Sequence, residues 1–91
     1  MFVIEDEIHA EWKGQYGSFE EALGELKRRA TIPWNEPPNL APCMSWMTCE
    51  REYVIIEYDE SGVPWKELRR VPVLEVSASG LIWHSGFEPP G

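Results

Sequence analysis

The alternation of apolar and polar positions predicts strands followed by one helix in the first third of the chain. Two apolar clusters, at positions 2–4 and at alternate positions 8–12, flank an acidic triplet, which is typical of two short strands or one bent strand. Ser18 and Glu21 then have the spacing of a capping box, and apolar residues recur behind them at helical intervals. We therefore predict an amphipathic helix over residues 19–30.

The second half of the chain has the pattern of an antiparallel sheet. Residues 52–58 are apolar on both parities, which favours a central strand covered on both faces. Residues 63–70 contain a proline and a charged run, so we predict at most a short edge strand or an irregular turn there. Residues 71–77 and 81–85 are predicted as a hairpin joined through 78–80. The fold class is α+β: a mainly antiparallel sheet of about four to five strands with the helix packed on one face.

Residues 31–50 are predicted as a long loop between the helix and the central strand. Prolines at 33, 37, 38 and 42 disfavour any regular element, because proline lacks an amide donor and restricts the residue before it. Trp34 and Trp46 argue against disorder, since disordered segments are poor in large apolar side chains. We expect a single domain over 1–91, with this Pro/Trp/Cys loop ordered and the tail 86–91 frayed.

Composition and charge restrict the classes of partner. The chain has 91 residues, 43% of them hydrophobic, which is typical of a small globular domain. Its formal net charge of -8 disfavours duplex nucleic acid and anionic membrane surfaces, and is more compatible with a cationic partner. The acidic N-terminus and the lack of a long apolar run predict a cytoplasmic protein without a membrane span. Because the carboxylates come from different elements, the sequence does not predict a shared acidic face.

Two cysteines offer an alternative function. Cys43 and Cys49 lack the spacing of a redox pair or of a common zinc site, so we expect reduced, buried thiols, with a disulfide as the lesser alternative. His9 and His84 would complete a zinc site with them only if the N-terminal and last strands pair. A small-molecule, thiol-redox or metal-binding role centred on the cysteines therefore stays open, although we expect no cofactor.

Catalysis and nucleic-acid binding are less favoured than protein binding. The sequence has no phosphate-binding glycine loop, dinucleotide fingerprint or metalloprotease helix motif, so an enzyme is not the preferred interpretation. The basic runs 27–29 and 69–70 could support single-stranded nucleic-acid binding beside aromatic rings, but such runs are usually solvated faces.

The tryptophans suggest a binding surface. Trp34, Trp46 and Trp65 lie in or beside proline-containing irregular segments, where exposed rings would form a patch for a protein partner or for self-association. The alternative is that they fasten the long loop as a second small core. Core packing is expected for the aromatic residues in predicted strands: Trp12, Tyr53, Tyr58 and Trp83.

Overall fold

Five strands and one helix make up the part of the chain that the structure, a computed structural model, describes: residues 1–41, 50–84 and 86–88. The predicted α+β class is confirmed. Residues 42–49 lie outside the described residues, and the predicted order of the Pro/Trp/Cys loop is not confirmed. The elements are β1 Phe2–Asp6, β2 Glu11–Tyr16, α1 Phe19–Arg29, β3 Glu50–Asp59, β4 Lys66–Ser77 and β5 Gly80–Trp83.

All neighbouring strands are antiparallel, in the order β2-β1-β3-β4-β5. The central position of β3 confirms the prediction from its apolar pattern. Tyr53 and Ile55 belong to the core beneath α1, whereas Val54 and Ile56 point to the opposite side, and all four are buried. We call that opposite side, which carries Val3, Val54 and Ile56, the helix-free face.

The helix begins as the capping residues predict and ends one residue earlier than predicted. The Ser18 side chain accepts a hydrogen bond from the Glu21 amide at 3.1 Å, and the Glu21 carboxylate accepts one from the Gly17 amide at 3.1 Å. Ala22 and Leu26 are fully buried against the sheet. Among the described residues, no helix is both long and apolar enough to cross a membrane.

The prediction of an edge strand or irregular turn is wrong for residues 66–70. Strand β4 begins at Lys66 and runs for 12 residues, paired with β3 along its length. Its charged residues find partners across the strands, as in the 3.0 Å contact between Arg69 and Glu57, so they do not interrupt the sheet. Pro72 lies at a register shift between β3 and β4, where a missing amide donor is tolerated. The predicted hairpin is confirmed as β4 and β5.

The start of the C-terminal tail contacts the body of the protein. The ring centroid of Phe87 lies 6.0 Å from that of Phe19, and the Phe87 amide donates a hydrogen bond to the His84 carbonyl at 3.1 Å. Residues 89–91, for which fraying was also predicted, lie outside the described residues.

Candidate functional site

Three aromatic rings contact one another at the surface of the protein. Their centroids are 5.6 Å apart between Trp12 and Tyr58, 6.3 Å between Trp12 and Trp65, and 6.0 Å between Tyr58 and Trp65. Trp12 keeps 50% of its surface exposed, and the other two rings are half-buried. We call these three residues the aromatic cluster.

The sheet register places the aromatic cluster on the helix-free face. Trp12 lies directly opposite Glu5 after a register shift between β1 and β2, so its ring points away from α1. Tyr58 has the same strand parity as the buried Ile56. Trp65 comes from the irregular segment before β4, in which Val63 is 97% exposed. An edge strand, the central strand and a loop thus combine to build one apolar surface.

One arginine beside the aromatic cluster forms ion pairs with three carboxylates. The Arg70 guanidinium lies 2.8 Å from Glu5, 2.9 Å from Glu7 and 2.9 Å from Glu67. Hydrogen bonds to Glu67 and Glu5 raise the pKa of Arg70 above its usual value. Burial, followed by the charges of Glu67 and Glu5, raises the pKa of the Tyr58 hydroxyl. The aromatic cluster therefore adjoins an ion cluster with excess negative charge.

A second group of carboxylates lies further along the same face. Glu52 on β3 is directly opposite Glu75 on β4. Partial burial, followed by repulsion from Glu75 and Glu7, raises the pKa of Glu52. His84 Nε2 lies 3.3 Å from a Glu75 oxygen. It nevertheless forms no hydrogen bond among the described residues, since a hydrogen bond requires suitable angles as well as a short distance.

The two sides of the sheet differ in how their carboxylates are neutralised. On the helix side, Glu57 pairs with Arg69, and Glu25 pairs with two arginines at 2.7 Å. Among the described residues of the helix-free face, the basic side chains are Arg70 and His84, and the carboxylates are Glu5, Glu7, Glu50, Glu52, Glu67 and Glu75. The sequence did not predict this shared acidic face, because it forms only when the pairing of β1, β3 and β4 brings carboxylates of different strands together.

A buried polar cluster around Asp6, on the helix side of the sheet, has a structural explanation. Asp6 Oδ2 lies 2.6 Å from His9 and 2.7 Å from Arg51, which also contacts Glu11 at 2.9 Å. The ligand atoms of Asp6, His9 and Glu11 are close enough together to hold a metal ion. However, the Arg51 guanidinium already places a positive charge between the two carboxylates and donates hydrogen bonds to the carbonyls of residues 39 and 40. We assign this cluster to fold stability.

The tryptophans proposed from the sequence fall in different places. Trp65 belongs to the aromatic cluster, whereas Trp34 packs against the core under α1 and lines a cavity of about 320 Å³ with Ala30 and Leu81. Trp46 lies outside the described residues.

The proposed metal ligands are likewise not brought together. Cys43 and Cys49 lie outside the described residues. His9 follows β1 and His84 follows β5, and β3 and β4 separate these two strands in the sheet. The strand pairing that a shared zinc site required is therefore not formed.

Sequence reasoning missed Trp12 as a site residue. Its place in a strand predicted core packing, but β2 is an edge strand, and the Trp12 ring lies on the face that α1 does not cover. Its charged neighbours Glu11 and Lys13 are the one local indication of exposure. Comparisons with protein-family models, curated proteins and solved structures found no match for the chain. The chemistry of the site is therefore argued from its geometry.

Proposed function

We propose that the protein is an interaction module that binds another protein through the helix-free face, with the aromatic cluster as its anchor. The observation that supports this most strongly is the mutual contact of three rings on a sheet face that α1 leaves uncovered. Aromatic residues are enriched among the residues that dominate binding energy, and contiguous exposed apolar surface marks contact sites.

A role in the core does not explain the exposure of Trp12. Tyr53, on the helix side of the same sheet, is fully buried, whereas Trp12 is half exposed. The large ring gives an edge strand a rigid apolar surface that costs little conformational entropy to immobilise on binding. That combination favours a contact site over a second core.

Trp34 and Trp65, the two described tryptophans that were proposed from the sequence, have different surroundings in the fold. Trp65 lies in the proposed contact surface, and we assign Trp34 to packing beneath the helix end, because it adjoins the core and Ala30. We favour a different protein over a second copy, since two copies meeting through this face would bring like charges together.

Affinity capture from a lysate of the source organism, with three forms of the protein, tests this proposal. The forms are the unaltered chain, the double variant Trp12→Ala/Trp65→Ala, and Trp34→Leu as the matched tryptophan control. We expect at least one protein to be retained by the unaltered chain and by Trp34→Leu, and to be lost with the double variant. Far-UV circular dichroism establishes that each variant is folded.

Two results contradict the proposal. One is that no captured protein depends on Trp12 and Trp65. The other is that Trp34→Leu abolishes capture while the double variant retains it, which would place the contact surface at the cavity instead.

A further inference from the structure

The charge of the helix-free face indicates the chemistry of its partner. Arg70 is shared by Glu5, Glu7 and Glu67, and the pair Glu52 and Glu75 lies further along the face. Like charges directly opposite each other on neighbouring strands destabilise a sheet. Because the carboxylates of the face outnumber its basic side chains, the face keeps negative charge that its own cations do not neutralise.

We propose that the partner segment held by the helix-free face is basic, with arginine or lysine side chains that stack on the aromatic cluster and pair with the carboxylates beside it. This inference rests on the proposed function and specifies the partner chemistry of the same surface.

The aromatic cluster and the carboxylates suit the same ligand. The face of a tryptophan ring attracts a cation, and a guanidinium can stack on it while its edge donates hydrogen bonds to a carboxylate. Trp12 lies directly opposite Glu5, and Tyr58 lies directly opposite Glu67. An arginine side chain stacked on either ring would therefore have a carboxylate on the adjacent strand within hydrogen-bonding reach of its guanidinium group.

The pair of Glu52 and Glu75 provides a second contact for a basic segment. Their cross-strand repulsion is a cost in the free protein that an approaching cation would relieve. Carboxylates alone would not define a site, since exposed acidic groups are usually solvated. Here they share a sheet face that α1 does not cover with three contacting aromatic rings, and charge complementarity selects a cationic occupant over a phosphate-bearing or acidic one.

A titration with synthetic peptides tests the inference directly. The probe is a fluorescein-labelled peptide of alternating arginine and serine, and its neutral counterpart has glutamine in place of arginine. Fluorescence anisotropy is recorded with the full chain at about 0.05 M and about 0.3 M salt, which differ in screening length. We expect the arginine peptide to bind and the neutral peptide not to bind. We also expect the higher salt to weaken binding.

Matched variants separate this site from overall charge. We expect Glu52→Gln/Glu75→Gln to weaken binding of the arginine peptide roughly fivefold, the range of two screened charge contacts. Trp12→Ala should weaken it about tenfold through the lost cation–π contact. The control Glu20→Gln/Glu36→Gln removes the same charge from exposed positions in α1 and the loop after it, and should leave binding unchanged.

The inference is overturned if the arginine peptide does not bind, or if both double glutamine variants weaken it equally, which would indicate attraction to net charge alone. It is also overturned if Trp12→Ala has no effect on binding. If the peptide fails while affinity capture still yields a partner that depends on Trp12 and Trp65, the contact surface stands and its partner is not basic.

Discussion

Glu52 and Glu75 lie directly opposite each other on β3 and β4, and partial burial together with this repulsion raises the pKa of Glu52. Its contribution to stability is therefore fully present below the unfolded-state pKa and is lost as the pH rises through the higher folded-state pKa. We expect Glu52→Gln to raise the free energy of unfolding at pH 7 by about 0.5 kcal/mol. Urea unfolding should show no such gain below about pH 3, where the carboxyl is protonated in both the folded and the unfolded state.

Glu25→Gln is the control with the opposite sign. Hydrogen bonds from Arg28 and Arg29 lower the pKa of Glu25 in spite of partial burial. The stabilisation is therefore present above the unfolded-state pKa and is lost as the pH falls through the folded-state pKa. This variant should be destabilised at pH 7 and unaffected at the acid end. A loss of stability at pH 7 in Glu52→Gln would contradict the account of the helix-free face.

The buried pair of Asp6 and Arg51 predicts a large cost when one partner is removed. Asp6 is fully buried and Arg51 is 3% exposed, with a 2.7 Å contact between them. We expect Arg51→Met to lower the free energy of unfolding by about 3–5 kcal/mol, because it leaves a fully buried carboxylate without its guanidinium partner. Arg28→Gln, which breaks an exposed pair screened by solvent, should cost far less. Equal effects in chemical denaturation would refute this assignment.

The Tyr53 hydroxyl anchors the segment that follows α1. It donates a 2.9 Å hydrogen bond to Asn39, whose amide donates to the carbonyls of Arg29 and Ile32 at 2.8 Å. Tyr53→Phe leaves a buried acceptor unpaired, so we expect a loss of about 1–3 kcal/mol and faster amide exchange over residues 31–41. Unchanged exchange there would show that the hydroxyl does not hold this segment.

The proposed binding residue Trp12 and the core residue Ile55 should differ in their effect on stability. Trp12→Ser removes a half-exposed ring, and we expect it to lower the free energy of unfolding by only about 1 kcal/mol. Ile55→Ala, beneath α1, should cost about 2–5 kcal/mol through lost burial and a cavity. Thermal and chemical unfolding compare the two, and a larger loss for Trp12→Ser would place that ring in the core.

The elements with strong local patterns were predictable from the sequence. The capping residues Ser18 and Glu21 mark the start of α1, and apolar residues on both parities mark β3 as central. Strand β4 was partly missed, because its charged run is stabilised by cross-strand partners such as Glu57 that a single sequence does not reveal.

The site was less predictable because it depends on strand order and register. Trp65 was proposed from its proline-containing context, but its neighbour Trp12 becomes exposed only through the edge position of β2. The contacts of Arg70 with Glu5 and Glu7 join residues far apart in the chain, and no local pattern indicates such contacts.

Site-specific photo-cross-linking tests most directly whether the helix-free face is the contact surface. Benzoylphenylalanine is introduced at Val63, in the exposed loop before Trp65, and in a second form at the exposed Lys27 of α1. After irradiation in a lysate of the source organism, we expect a protein adduct from position 63 that disappears with Trp12→Ala, and none from position 27. An adduct from position 27 together with none from position 63 would contradict the account.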